Sequence, residues 1–225
     1  EGRFEIEWFV YAQFWAYFVT ALVAFFLVYA QAKFYKVTLD WVLFRIILKQ
    51  SLPFALLVLL MSFYYRLDSV MVERLLPDGK IQAGIYAQAY RLLEGFNMFG
   101  YLFAGLLLPI FSRMLKNNES VAKLVQTSFN LLFIPAVSVA VVSLLYPKEI
   151  MDILYLENVV ESAEVFAVLM VSFIAIVLTY IYGTLLTANG SLKQLNIISL
   201  IGLVVNFSMN WFMIPRYGAF GAALA

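Results

Sequence analysis

A chain of 225 residues that is 64% hydrophobic and 13% charged, with a mean hydropathy of +0.89, carries more apolar surface than a soluble core of that length can bury. Having neither cysteine nor histidine, it offers no disulfide framework and no zinc, haem or Cys/His nucleophile chemistry, and a net charge of +1 supplies no basic stripe for nucleic acid. No metal and no cofactor is expected. The fold class left is all-α, a polytopic membrane helix bundle whose helices satisfy their own backbone hydrogen bonds across the hydrocarbon.

Six apolar runs of spanning length follow in chain order, at 8–31, 52–76, 84–112, 122–147, 163–187 and 195–214, and a seventh opens near Gly218. The chain begins at Glu1 without an initiator methionine or signal peptide and stops inside that last run, so it reads as a fragment of a longer polypeptide. Short polar punctuations such as Pro77-Asp78-Gly79-Lys80 and Asn189-Gly190-Ser191 make consecutive helices antiparallel neighbours. The segment 33–50 differs: Trp41, Leu43, Phe44, Ile46, Ile47 and Leu48, mixed with Arg45 and Lys49, suggest a short amphipathic helix lying in the interface. Pro109 and Pro135 are expected to kink their helices, and the small-residue runs 100–105 and 218–223 to let helices approach closely.

Basic residues set the orientation. Lys33, Lys36, Arg45, Lys49, Arg113, Lys116, Lys123 and Lys193 collect on one side, read as cytoplasmic, while Arg3, Arg74, Lys80, Lys148 and Arg216 lie on the other with most of the acids. Trp8, Trp15, Trp41, Trp211 and Tyr217 fall near span ends, as interfacial anchors do.

Four ionisable residues interrupt the apolar pattern: Arg66 and Asp68 in the second span, Arg91 and Glu94 in the third. A charge at the bilayer centre costs about 2.5–3.5 kcal/mol on insertion scales, so such residues face a wet cavity or a partner. Counted back from Pro77 on the second span and forward from Ala83 on the third, at about 1.5 Å per residue, they form one layer roughly 12–16 Å inside. Arg91 and Glu94 share a helix face, and Tyr86, Tyr90, Glu94, Asn97 and Tyr101 recur at helical spacing as a polar aromatic stripe. Two readings stand level: interhelical ion pairs, Arg66 with Glu94 and Arg91 with Asp68, or groups lining a transport cavity. Asn130, Asn206, Asn210, Thr179, Tyr180, Tyr182 and Thr187 are weaker polar signals, read first as helix-packing hydrogen bonds.

The segments Leu52-Pro53-Phe54, Tyr65-Arg66-Leu67-Asp68-Ser69-Val70-Met71 and Ala83-Gly84-Ile85-Tyr86-Ala87-Gln88-Ala89-Tyr90-Arg91-Leu92 resemble the seventh and eighth helices of polysaccharide biosynthesis flippases, of the multidrug/oligosaccharidyl-lipid/polysaccharide superfamily. The run from Leu185 to Lys193, then Asn206 to Asn210 and Ile214-Pro215-Arg216-Tyr217-Gly218-Ala219-Phe220-Gly221-Ala222-Ala223, resembles their tenth to twelfth helices. The resemblance implies that 1–32 ends a first lobe, 33–50 links two lobes, and 51–225 is the second-lobe bundle, truncated in its last helix, with the first half of the same polypeptide, its first five helices, missing.

It also implies a function: a multi-pass transporter of the bacterial plasma (inner) membrane, not an enzyme, moving a polyprenyl-diphosphate-linked oligosaccharide from inner to outer leaflet by alternating access. Arginine's planar fork suits phosphate oxygens, so Arg66 and Arg91 are the candidates to hold the diphosphate jointly. Tyr86, Tyr90 and Tyr101, with Asn97, would meet sugar, and Asp68 and Glu94 would tune the arginines or carry a coupling proton or cation. The alternatives are a cation-coupled multidrug exporter, against which two arginines in the layer count, and an integral-membrane glycosyltransferase or O-antigen polymerase, for which the outer loop 148–162 is short.

Overall fold

The computed structural model describes residues 6–32 and 40–225, and among them every regular element is a helix: α1 (Ile6–Ala32), α2 (Trp41–Leu75), α3 (Gly79–Lys116), α4 (Ala122–Leu145), α5 (Pro147–Leu154), α6 (Val159–Ala188) and α7 (Leu192–Leu224). Six of the seven are long and apolar enough to cross a membrane. The bundle is that of a multi-pass membrane protein.

The chain divides into two compact units, Glu1–Leu48 and Lys49–Ala225. In the first, α1 is apolar on every side, with aromatic rings stacked along it, Phe14 on Phe18 at 6.3 Å and Phe25 on Tyr29 at 6.2 Å. Residues 33–39, with Lys33 and Lys36, lie outside the described residues, as does Arg3. The separate interfacial helix expected within 33–50 is not what the remainder forms: residues 41–50 are the first turns of α2. Asp40 caps that helix, its Oδ1 accepting from the backbone N–H groups of Val42 at 2.8 Å and Leu43 at 3.2 Å. The helix then runs on through Pro53 to Leu75.

In the second unit α6 is the central element, packed against α3, α4, α5 and α7. Its buried residues Ala163, Phe166, Met170, Phe173, Val177 and Ile181 recur every three or four positions, one continuous stripe. Within lipid no hydrophobic gain drives helices together, so fit decides. Accordingly α4 buries a seam of mostly small residues, Ser128, Leu132, Ala136, Ala140 and Ser143, four or three apart. On α3 the close approach is at Gly100, where an added Cβ would sit 2.5 Å from Tyr180 Cδ2, whereas Gly105 faces open space. The helices α3 and α4 continue through Pro109 and Pro135.

At the far end of α7 the helical path breaks at Gly218, whose φ of 60° and ψ of −140° are open only to glycine. The following N–H, of Ala219, donates to Gln82 Oε1 at 3.1 Å, and Gln82 Nε2 donates to Asp78 Oδ2 at 3.1 Å, tying the bend to the start of α3. A Cβ on Gly218 would lie 2.8 Å from the same Gln82 Oε1. Gly218→Ala is therefore expected to destabilise the bundle by about 1–3 kcal/mol, read as a lowered thermal unfolding temperature in detergent, with Gly105→Ala unchanged as the control.

Candidate functional site

The helix α2 buries Met71 and Val72 in the common core and reaches α3 and α7 through hydrogen bonds, leaving a cavity of about 710 Å³ bounded by α2, α3, α6 and the first turn of α7. Its α3 wall carries Tyr90, Glu94, Asn97 and Tyr101, which share a face because they stand four, three and four apart. From α2 come Ser62, Tyr65 and Arg66, and from α6 Thr179, Tyr180, Thr184 and Thr187. Thr179 and Thr187 turn their hydroxyls onto their own helix, donating to Ile176 O at 2.7 Å and Gly183 O at 2.8 Å. Asn97 is the opposite case: it is 9% exposed, lines the cavity, and its Oδ1 has no hydrogen-bond partner in the protein.

Asp68 lies off the cavity wall, in a polar knot between three helices. Its Oδ2 accepts from the Tyr86 hydroxyl at 2.9 Å, and its Oδ1 from Asn206 Nδ2 at 3.1 Å and Asn210 Nδ2 at 2.6 Å. Asn210 also donates to Asn206 Oδ1 at 3.2 Å, while its own Oδ1, wholly buried, has no partner. The three donors are neutral, so the carboxylate is satisfied in hydrogen bonds but not in charge. These bonds occupy Asp68 in place of the arginine partner, Arg91, that one reading of the sequence gave it.

The structure thus divides the stripe that the sequence groups together. Tyr90, Glu94, Asn97 and Tyr101 line the cavity with Arg66, but Tyr86, 1% exposed, is spent on Asp68 and stacks on Tyr90 at 5.6 Å, where no sugar reaches its face. Arg91 is exposed and lies outside the cavity wall. Asn206 and Asn210 are packing groups that hold Asp68, and exposed Asn130 and Tyr182 are off the cavity as well.

With 35 and 38 residues, α2 and α3 are about 52 and 57 Å long, more than the 40–45 Å of a bilayer with its headgroups. The uncharged run of α3, Gly95 to Ser112, spans about 27 Å. Glu94 lies at its edge and Arg91 one turn beyond. On α2, Arg66 bounds the uncharged run Gln50 to Tyr65 in the same way. Arg66 and Glu94 thus each stand at the end of an uncharged run, on two walls of the same cavity.

Residues 4–115, about half of the chain, match the family model described as "Polysaccharide biosynthesis protein". Over that half, the chain belongs to the polysaccharide biosynthesis protein family. No curated protein and no solved structure matches it. The matched segment runs from α1 to the last turn of α3, and so holds the α2 and α3 walls of the cavity together with Asp68 and Tyr86. The protein is a membrane component of polysaccharide biosynthesis.

Proposed function

We propose that this polysaccharide biosynthesis protein is a flippase, not an enzyme, that carries a polyprenyl-diphosphate-linked oligosaccharide from the inner to the outer leaflet of the bacterial plasma membrane by alternating access. The observation that carries the reading is the composition of the cavity lining: a single guanidinium, Arg66, on α2, facing an α3 wall of Tyr90, Tyr101 and the partnerless Asn97 Oδ1. An arginine fork suits the diphosphate. Aromatic faces and an unpaired amide oxygen suit the apolar faces and hydroxyls of sugar rings, while the polyprenyl chain needs only the apolar helix surfaces outside. Asp68, held by neutral donors alone, is the group that takes up the coupling proton or cation, and Glu94, which lines the same cavity, tunes Arg66.

The direct test is reconstitution of the intact protein into liposomes with a fluorescent polyprenyl-diphosphate sugar, following protection of the label from a membrane-impermeant quencher. Label that crosses only in protein-bearing vesicles supports the proposal; transbilayer rates equal to empty vesicles refute it.

Orientation has its own measurement, made clean by the absence of native cysteine. A single cysteine at Asn118, in the turn after α3, is expected to resist an impermeant thiol reagent in intact cells, and one at Lys80, in the first turn of α3, to react. The reverse labelling would invert the topology.

A further inference from the structure

We propose a second site, for an anionic phospholipid, at the α3–α4 turn. A cavity of about 380 Å³ there is lined by Pro109, Ile110, Arg113, Met114 and Glu119. The four α3 residues fall on one face, and they straddle a boundary. Pro109 and Ile110 belong to the uncharged run, while Arg113 is the first charge after it. An acyl chain has apolar wall beside it at the depth where acyl chains lie, and a phosphodiester has a guanidinium at the depth where headgroups lie.

Backbone hydrogen bonds fix the turn that closes the cavity. Asn118 takes a left-handed φ of 55°, Glu119 N–H donates to Met114 O at 2.9 Å, and Asn117 N–H to Arg113 O at 3.1 Å. The one acid in the lining, Glu119, accepts from Asn117 Nδ2 at 3.0 Å. The charged groups around it on α3 and α4 are Arg113, Lys116 and Lys123, so the turn as a whole is cationic. A zwitterionic lipid would gain little from it. Free phosphate would gain the charge but not the apolar wall.

The measurement is lipid retention by the purified protein in native mass spectrometry, titrated with phosphatidylglycerol, phosphatidylcholine or sn-glycerol phosphate. Phosphatidylglycerol is expected to be retained preferentially. Arg113→Gln should weaken it about fivefold, matching about 1 kcal/mol for one basic residue near a headgroup, and Glu119→Gln should tighten it. The opposite signs separate a site from a folding defect. Equal retention of the two lipids, no effect of either variant, or displacement by glycerol phosphate at matched concentration would each overturn the proposal. None of these outcomes depends on what the larger cavity transports.

Discussion

Replacing Asp68 by alanine is expected to destabilise the second unit by about 3 kcal/mol or more. The substitution removes the acceptor of three donors, from Tyr86, Asn206 and Asn210, on residues only 1%, 5% and 0% exposed. A buried polar group left unpaired costs about 1–3 kcal/mol, and within the bundle no water replaces the lost partner. Asp68→Asn is the informative companion. Its amide oxygen still accepts from the two asparagines, and the Tyr86 hydroxyl can rotate to accept from the new NH₂, so the fold is retained while the charge is lost. If Asp68 is the coupling group, Asp68→Asn unfolds within a few degrees of wild type yet fails to export. Export at the wild-type rate would leave Asp68 a packing residue and nothing more.

Arg66 and Arg91 are expected to part company. Arg66→Ala deletes the one guanidinium on the cavity wall, and a charge-assisted hydrogen bond to phosphate is worth about 1.5–3 kcal/mol, so substrate affinity should fall about ten- to hundredfold. Arg66→Lys keeps the charge, loses the planar fork and should fall between. Because Arg66 is exposed in the folded protein, neither change should move stability by more than about 0.5 kcal/mol. Arg91→Ala, one turn beyond the uncharged run and off the wall, should export nearly normally. The assay is surface glycan in cells whose own copy is replaced by each variant, at matched membrane abundance. A severe loss in Arg91→Ala with normal export in Arg66→Ala would reverse the assignment of the two arginines.

Composition and single-helix periodicity were enough to settle the class of this protein. Apolar runs of spanning length can only be helices in lipid, because no other open structure there satisfies its own backbone, so the helical fold and the membrane habit were both legible in the residues alone. The α3 wall was legible too, since Tyr90, Glu94, Asn97 and Tyr101 share a face by helical spacing. Where that wall ends was not. Tyr86 is in phase with the stripe but is taken by Asp68, and this depends on how α2 leans against α3, which no periodicity encodes. The pairing of Asp68 with Asn206 and Asn210 joins residues 138 and 142 positions apart, and a single chain carries no mark of it. The bend at Gly218 draws on both sources at once. The Pro215-Arg216-Tyr217-Gly218 punctuation announced a break, but the hydrogen bond from Ala219 to Gln82 that ties it to α3 exists only once the two helices meet, since it joins residues 137 apart.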